Sequence, residues 1–256
     1  MPELPDVEGF KRYLVRYAGG RVVTRVEVHD PVLLRNSSAQ ALGHAVKRRK
    51  LVNARRHGKW LLVDVGGSTV LFHFGMTGLL KWRDAPHPHD RIVFQFADGA
   101  LAYRNMRRFG GVWLAHGEDE IRGVTGPLGL DAMDVGPSDL EQMLATRRGG
   151  IKAALMDQRM VAGLGNLLVD EILWRARINP RRDTRKLRPK DAEKLHRIMR
   201  EVLTESNRRA RVPPLRGWLT GARDARDAEC PRCRTRLRKT TVAGRTSAWC
   251  PRCQQR

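Results

Sequence analysis

The feature that most restricts how this 256-residue chain can fold is the spacing of its four cysteines, all of which lie beyond position 229. They follow the pattern C-x2-C-x16-C-x2-C, at Cys230, Cys233, Cys250 and Cys253. Each C-x2-C pair can hold a metal ion from a tight turn, and a β-hairpin can bring two such pairs together. The spacing predicts one structural Zn²⁺ bound by four thiolates. Two disulfides or redox pairs are the alternative, but nothing else in the sequence indicates an oxidising compartment.

Four thiolates complete the tetrahedral shell of zinc, so the predicted site has no open position for catalysis. Its role is in folding, to which a structural zinc ion contributes on the order of 10 kcal/mol. The stretch between the two cysteine pairs carries cations that can face a phosphate backbone. They are Arg234, Arg236, Arg238, Lys239 and Arg245.

The whole chain is strongly basic, with 49 lysines and arginines, 27 aspartates and glutamates, and a formal net charge of +22. Hydrophobic residues make up 41%, so the charge does not indicate disorder. The positive charges of a compact protein with this net charge repel one another unless a polyanion neutralises part of the charge. Nucleic acid is the leading candidate for this polyanion. An anionic membrane surface and a general effect on solubility are the alternatives. No basic amphipathic helix with an aromatic face supports the membrane.

The sequence contains no apolar stretch of the roughly 18 residues that a membrane span needs. Residues 1–6 are acidic and have no apolar core, so they do not predict a secretory signal. We therefore expect a cytoplasmic protein that does not associate with a membrane.

The first part of the chain predicts a helix followed by a β-rich domain. Pro5 suits the first position of a helix over 5–18 that ends at Gly19-Gly20. The apolar face of this helix is Val7, Phe10, Leu14 and Val15. From 21 to about 115, short β-rich runs alternate with turns and predict a sandwich or barrel of six to eight strands. These runs are 22–23, 26–28, 60–65, 70–74, 92–96 and 111–114.

From about 137 the pattern becomes helical. Ser138 and Glu141 have the spacing of a capping box. Further helices are predicted at about 151–160, 166–176 and 189–208, and the glycines of the turn at 161–166 allow a close backbone approach. The proline- and arginine-rich segment 209–229 is expected to connect these helices to the zinc hairpin.

Several stretches resemble the formamidopyrimidine-DNA glycosylase and endonuclease VIII family, and they are closer to its formamidopyrimidine branch. They follow the family order along the whole chain. They are PELPDVE at 2–8, HGKWLL at 57–62, HFGMTG at 73–78, RRFGGVWL at 107–114, MDQRMVAGLGNLLVDEILW at 156–174 and AGRTSAWCPRCQ at 243–254.

This resemblance implies an α+β multidomain fold. The expected parts are an N-terminal catalytic β-sandwich or barrel flanked by helices at 1–118, a helix–two-turn–helix DNA-binding bundle at 134–223 and a four-cysteine zinc finger with a β-hairpin at 224–256. The implied partner is double-stranded DNA containing damaged bases or abasic sites, bound by a monomer near the nucleoid.

Pro2 and Glu3 carry the chemistry that the resemblance implies. Once Met1 is removed, the proline amine can attack C1′ of the sugar, displace the base and form an iminium ion. This ion accepts electrons as the 3′ phosphate and then the 5′ phosphate are eliminated. A chain-end amine has a reference pKa near 8, against about 10.4 for lysine, so more of it is neutral at neutral pH. Glu3 would serve as acid and base. The residues by themselves favour a helix-capping role for both.

The resemblance also places cations and an amide on the DNA backbone. Lys59 is expected in the catalytic pocket, and Asn166, Arg108 and Arg245 are expected to contact phosphates. The alternatives are a solvated charge for Lys59 and a helix N-cap for Asn166. Free N–H groups at the start of a helix favour an anion there. Glu171 matches a family acid that could equally hold the turn before its helix.

Excising a base requires that it leave the stack, which costs a few kcal/mol and leaves a hole in the duplex. Apolar wedges and an arginine can fill such a hole. Met76, Arg107 and Phe109 match the residues that do so in the family. Ordinary core packing is the alternative for Met76 and Phe109.

The chain departs from the family pattern at three places. Asn105-Met106 stands where Asp-Pro is common, and Asp6 replaces a glutamate. Segment 209–229 lacks the Gly-Gly-Ser/Thr-Thr sequence and the long loop that covers an oxidised purine. The expected lesion pocket is therefore more open and suits ring-opened purines, oxidised pyrimidines, bulkier adducts or abasic sites.

The resulting hypothesis is a bifunctional DNA glycosylase and abasic-site lyase of base excision repair. A damaged-DNA-binding paralogue that excises nothing is the main alternative, against which Pro2-Glu3 argues. A zinc-containing RNA-binding protein is the second alternative, against which the pocket and wedge residues argue.

Overall fold

The computed structural model describes residues 1–255, and its chain divides into two compact units. One unit contains Met1–Pro2 and Asp6–Pro127, and the other contains Glu3–Pro5 and the chain from Leu128 onward. Both helices and sheets are present, so the predicted α+β class is confirmed.

Helix α1 spans Leu4–Ala18 and begins one residue earlier than predicted. Val7, Leu14 and Ala18 are buried because positions seven and four apart share one face of a helix. Val15 was expected on this face but is 53% exposed, since it lies about 100° around the helix from Leu14.

In the first unit, eight strands form two four-stranded antiparallel sheets with the orders β1-β6-β7-β5 and β2-β3-β4-β8. The predicted sandwich is therefore confirmed. The strands are β1 (Arg25–Val28), β2 (Val52–His57), β3 (Trp60–Val65), β4 (Ser68–His73), β5 (Leu79–Trp82), β6 (Asp90–Phe96), β7 (Gly99–Arg104) and β8 (Gly111–Ala115).

The two sheets pack face to face through aromatic side chains. The ring of Phe72 on β4 lies 5.9 Å from that of Phe94 on β6 and 6.1 Å from that of Tyr103 on β7. Val7 and Leu14 of α1 belong to the same core cluster. Two further helices, α2 (Ala39–Val46) and α3 (Glu118–Thr125), and a 3₁₀ turn (Pro31–Leu33) complete this unit.

Three strands of the first unit were not predicted, namely β2, β5 and β7. The sequence of β2 is Val-Asn-Ala-Arg-Arg-His, which is mostly polar and lies at a sheet edge, so it gives no apolar alternation. The predicted run 22–23 forms only an isolated bridge between Val22 and Lys50.

The second unit is mainly helical and ends in a two-stranded hairpin. A buried cluster that includes Leu168, Ile172, Leu195 and Val202 forms its core. Its elements are β9 (Leu130–Asp131), α4 (Pro137–Thr146), α5 (Ile151–Met156), β10 (Val161–Ala162), α6 (Asn166–Ala176), a 3₁₀ turn (Thr184–Lys186), α7 (Pro189–Arg208), α8 (Leu219–Ala222), β11 (Arg238–Val242) and β12 (Arg245–Trp249).

Two local predictions in this unit were wrong. The capping box at Ser138 and Glu141 does not form, because α4 starts earlier with Pro137 at its first position, and Asp139 Oδ2 accepts from Gly136 N at 2.9 Å. Helix α5 ends at Met156 instead of about 160, because the following residues turn into β10.

No helix in residues 1–255 is both long enough and apolar enough to cross a membrane.

Candidate active site and zinc centre

The carboxylate of Glu3 lies at the N-terminus of α6. Its Oε1 accepts a hydrogen bond from Leu167 N at 2.7 Å, and its Oε2 accepts one from Leu168 N at 3.0 Å. These N–H groups have no partner within the helix, and the helix dipole favours a negative charge at this end. Leu4 N donates to Gly163 O at 3.1 Å. The two residues that follow Pro2 in the chain are therefore bound to the α5–α6 turn.

This approach of Glu3 and Leu4 requires two glycines in the turn. A Cβ atom on Gly165 would lie 2.2 Å from the carboxyl carbon of Glu3, and one on Gly163 would lie 2.6 Å from Cδ1 of Leu4. Gly163 also has a φ of +109°. The close backbone approach expected at 161–166 is thus present. The anion at the start of α6 is the chain's own carboxylate.

Asn166 is the first residue of α6, and Gly165 occupies the N-cap position, so the N-cap interpretation of Asn166 was wrong. Its Oδ1 accepts from Lys152 Nζ at 2.7 Å, and its Nδ2 donates to Thr246 O at 3.0 Å. One amide therefore links α5, α6 and the terminal hairpin.

Arg245 is exposed at the tip of this hairpin, where it pairs with Val242 across a two-residue turn. Both turn residues have positive φ, 49° at Ala243 and 69° at Gly244, as the tight turns that suit the twist of a hairpin require. The guanidinium of Arg245 is thus carried on a short, defined loop beside Thr246.

Behind the hairpin lies a buried ionic cluster centred on Asp170. Its Oδ1 accepts from Lys152 Nζ at 2.6 Å and from Ser247 Oγ at 2.8 Å. Its Oδ2 accepts from Arg223 Nη1 at 2.6 Å and from Ala248 N at 3.1 Å. Burial lowers the pKa of Lys152, and the attraction of Asp170 opposes that shift. The carboxylate has a full set of four donors, which a buried ionic group needs.

Glu171, the next residue on α6, holds helix α8. Its Oε1 accepts from Arg175 Nε at 2.8 Å, and its Oε2 accepts from Thr220 N at 3.1 Å. The guanidinium of Arg175 also lies 4.1 Å from the ring of Trp218. Burial raises the pKa of Glu171, and the hydrogen bond from Arg175 opposes this. Glu171 therefore anchors the segment before the zinc module, whereas the sequence left open whether Glu171 held the turn before α6 or had a functional role.

The four cysteines form one cluster in which all four sulfur atoms lie within 4.8 Å of one another. The separations from Cys233 Sγ are 3.5 Å to Cys250 and 3.4 Å to Cys253. These are the distances between sulfurs around one ion, whereas a disulfide bond is about 2 Å long. Trp174 Nε1 donates to Cys230 Sγ at 3.3 Å and ties the cluster to α6. The site is suited to one Zn²⁺ ion, as predicted.

In the first unit, Lys59 lies in the two-residue turn between β2 and β3, beside Gly58 with its φ of +55°. His73 at the end of β4 has a pKa lowered to about 4, first by burial and then by the positive charge of Lys59. Nδ1 of His73 accepts a hydrogen bond from Gly75 N at 3.3 Å. The imidazole is therefore neutral at neutral pH and supports the loop that carries Met76.

The loops 73–78 and 105–111 are joined through Asn105, which is fully buried. Its Nδ2 donates to Phe109 O at 2.6 Å and to the hydroxyl of Tyr103 at 2.9 Å. Its Oδ1 accepts from Thr77 Oγ1 and from Arg108 N, each at 3.1 Å. One amide thus connects both loops that carry the predicted wedge residues.

Phe109 is 50% exposed, which does not fit the core-packing alternative for this residue. The Arg107 guanidinium lies 5.4 Å from its ring, a cation–π distance. Met76 is partly buried. Arg108 is exposed, and its Nε lies 2.7 Å from Oδ2 of the buried Asp30. The four side chains therefore lie on neighbouring loops of one unit.

The predicted site residues fall in both units. The first unit contains Pro2, Lys59, Met76, Arg107, Arg108 and Phe109, and the second contains Glu3, Asn166, Arg245 and the four cysteines. Sequence reasoning missed the buried polar residues that hold these groups: Asn105, Lys152, Asp170 and Arg223. A polar residue inside an apolar run was the available signal for Lys152 and Asp170.

Family models match three successive segments of the chain. Residues 1–112 match the formamidopyrimidine-DNA glycosylase N-terminal domain, residues 128–211 match the H2TH domain of the same protein, and residues 229–256 match the zinc finger found in FPG and IleRS.

Relatives that match over most of their length are also formamidopyrimidine-DNA glycosylases. The formamidopyrimidine-DNA glycosylase of Pelotomaculum thermopropionicum is 33% identical over 276 residues, covering 100% of this chain and 99% of the relative. That of Symbiobacterium thermophilum is 36% identical over 273 residues, covering 99% and 89%. The Lactococcus lactis Fpg (MutM) structure, a complex with DNA containing N7-benzyl-Fapy-dG, matches with a TM-score of 0.89 and 28% identity over 100% of both chains.

The fold and these matches define a DNA glycosylase of base excision repair. The chain belongs to the formamidopyrimidine-DNA glycosylase family.

Proposed function

We propose that this protein is a bifunctional DNA glycosylase and abasic-site lyase that uses Pro2 as its nucleophile. The observation that carries the proposal is the position of Glu3, whose carboxylate is held by Leu167 N and Leu168 N at the start of α6. This contact fixes the residue next to Pro2. Holding reacting groups in a defined geometry lowers the barrier to their reaction.

The proposed reaction requires removal of Met1, which makes Pro2 the chain end. The lone pair of the proline nitrogen attacks C1′ of the damaged nucleotide as the bond from C1′ to the base breaks, and the departing base takes up a proton. Opening of the sugar ring gives an iminium ion. Loss of a C2′ proton then expels the 3′ phosphate, and loss of a C4′ proton expels the 5′ phosphate. Glu3 is the proposed group that gives and takes protons in these steps.

Lys59 is the third proposed catalytic residue, in the pocket, where it contacts a phosphate near the lesion. The remaining predicted residues receive DNA-binding roles, in which Arg108, Asn166 and Arg245 contact phosphates. Met76, Arg107 and Phe109 fill the space left by the extruded base. Exposure of Phe109 on a loop held by Asn105 supports this assignment, because a wedge must be both accessible and rigid.

The proposed domains are the catalytic sandwich at 1–118, the helix–two-turn–helix bundle at 134–223 and the zinc finger at 224–256. Zn²⁺ held by Cys230, Cys233, Cys250 and Cys253 would fold the finger and present Arg245. We propose a monomer that acts on double-stranded DNA in the cytoplasm, at the nucleoid, without a membrane partner.

The proposed substrates are ring-opened purines, oxidised pyrimidines, bulky adducts and abasic sites. The short segment between α7 and Cys230 supports this range of substrates. It contains helix α8 and the buried Arg223 where a long loop would cover the damaged base. The structurally similar Lactococcus protein is in complex with DNA carrying the bulky N7-benzyl-Fapy-dG.

Borohydride reduction tests the proposal directly. The mature protein, shown by mass to lack Met1, is incubated with abasic-site DNA and borohydride, and we expect a covalent complex that a Pro2→Gly variant forms more slowly. A panel of lesion duplexes then measures excision. Absence of any covalent complex would favour a damaged-DNA-binding protein that excises nothing.

A further inference from the structure

Arg223 lies in the arginine-rich segment 209–229, which the sequence predicted to be only a connector between the helices and the zinc hairpin. In the structure its side chain is buried and only 4% exposed. A side chain this buried does not reach a phosphate backbone. Its two Nη atoms instead donate to atoms of α6 and of the hairpin.

The Arg223 guanidinium bridges two acceptors that lie on different elements. Nη1 donates to Asp170 Oδ2 at 2.6 Å, and Nη2 donates to Thr246 O at 3.1 Å. Asn166 Nδ2 donates to the same carbonyl oxygen of Thr246 at 3.0 Å. The carbonyl that directly follows Arg245 is therefore held by two donors, one from the start of α6 and one from the connector.

Lys152 and the hairpin itself complete the arrangement around Asp170. Lys152, fully buried, donates both to Asp170 and to Asn166 Oδ1. Ser247 and Ala248 of β12 donate to Asp170. The Arg223 Nε also lies 3.6 Å from Oδ1 of the exposed Asp224. Through Asp170 and the carbonyl of Thr246, the two Nη atoms of Arg223 are thus linked to Asn166 and to the strand that begins at Arg245.

We propose that Arg223 is a positioning residue that sets Asn166 and Arg245 in register for binding the DNA backbone. This role rests on the proposed function, in which those two residues contact phosphates. The planar guanidinium fork suits this task, because it supplies two N–H donors at a fixed angle, whereas a lysine ammonium is a point charge on a flexible stem.

The test uses the Arg223→Lys variant of the full chain with its zinc bound. This variant keeps the charge beside Asp170 but loses the fork to Thr246. We expect the Kd for a duplex with a reduced abasic-site analogue to rise at least fivefold. We also expect the slope of log Kd against log salt to fall by about one unit, as for a lost phosphate contact. Zinc content and the thermal midpoint show whether the variant is folded.

Arg197→Lys is the matched control. Arg197 is an arginine of the same unit, but it is exposed and pairs with Glu201 at 2.9 Å on the surface of α7. We expect its Kd to change less than twofold. A similar loss in both variants would mean that the effect is general to arginine-to-lysine changes, and would overturn the positioning role.

A double-mutant cycle with Arg245→Gln separates positioning from general stability. If Arg223 acts through Arg245, most of the affinity lost in Arg223→Lys is absent when Arg245 is already replaced. Full additivity of the two losses, or wild-type affinity in a folded and zinc-loaded Arg223→Lys protein, would overturn the inference. Failure of the proposed function would differ, because the wild-type protein would then form no borohydride-trapped complex or Arg245→Gln would not weaken binding.

Discussion

Gly165 and Glu3 lie so close together that only glycine fits between the carboxyl group and the start of α6. A Cβ atom at position 165 would stand 2.2 Å from the carboxyl carbon of Glu3. The φ of Gly165 is −126°, which any residue can adopt, so the requirement for glycine is one of space alone. This close approach places the Glu3 carboxylate on the N–H groups of Leu167 and Leu168, which have no partner within α6.

Gly165→Ala should therefore disable the proposed catalytic end of the chain without unfolding the protein. The added methyl group displaces the Glu3 carboxylate from Leu167 N and Leu168 N. We expect the single-turnover excision rate to fall by roughly 10²-fold or more, the scale of a lost acid–base group. Gly43→Ala is the control, because a Cβ atom there meets nothing within 4 Å apart from its chain neighbours and the backbone of its own helix. Equal rates for the wild type and Gly165→Ala would argue against a catalytic role for Glu3.

Asn105→Asp should weaken the wedge loop in a pH-dependent manner. The change keeps the acceptor that serves Arg108 N and removes the donor to Phe109 O and Tyr103. A carboxylate in this buried position costs about 1–3 kcal/mol of unfolding free energy, and burial favours its protonated form. The penalty should grow between pH 5 and pH 8 as the side chain loses its proton. Urea unfolding at both pH values measures it.

Met106→Leu is the control for that experiment, because Met106 is 55% exposed beside Asn105 and a leucine there changes no buried polar contact. A loss of stability in Asn105→Asp that is the same at pH 5 and pH 8 would contradict the proposed donor role of the amide.

His73→Asn should remove part of the acid sensitivity of the first unit. The pKa of His73 is lowered from 6.5 to about 4 in the folded protein, so the unfolded chain takes up a proton first as the pH falls. The stability linked to His73 is complete above pH 6.5 and is lost between pH 6.5 and pH 4, by about 3 kcal/mol in total. We expect the difference in unfolding free energy between wild type and variant to shrink over this window. A constant difference would mean that His73 titrates normally.

Cys233→Ser should weaken duplex binding more than it weakens Pro2 chemistry. Loss of one thiolate opens the four-cysteine site and releases the hairpin that carries Arg245. We expect weaker binding to abasic-site duplexes, while borohydride trapping on single-stranded abasic DNA partly survives. Fluorescence of Trp174, whose Nε1 contacts Cys230 Sγ, should report the same change when a chelator is added to the wild type. A chelator should have no further effect on the variant, and unchanged duplex affinity would reject the role of the zinc finger in binding DNA.

Features encoded over short distances could be predicted from the sequence. The two C-x2-C pairs and the hairpin between them predict a zinc site, because the ligand spacing itself specifies the geometry. Short β-rich runs separated by turn signals predicted the sandwich, and the glycines of the turn at 161–166 predicted a close backbone approach. Strand β2 escaped prediction because it is a mostly polar edge strand that contains no such run.

The buried polar residues that support the candidate site can be recognised only by their contacts with partners far away in the sequence. Arg223 meets Asp170 across 53 positions, and Ser247 meets Asp170 across 77. In the sequence, Arg223 is one of 49 basic residues and resembles any solvated arginine. Only burial in the folded unit separates it from the others, because hydrogen-bond partners are chosen by the packing of helices and strands rather than by spacing along the chain. The sequence by itself determined the kind of protein, the zinc ligands and the residues suited to the chemistry. The tertiary structure decided which polar groups hold those residues in place.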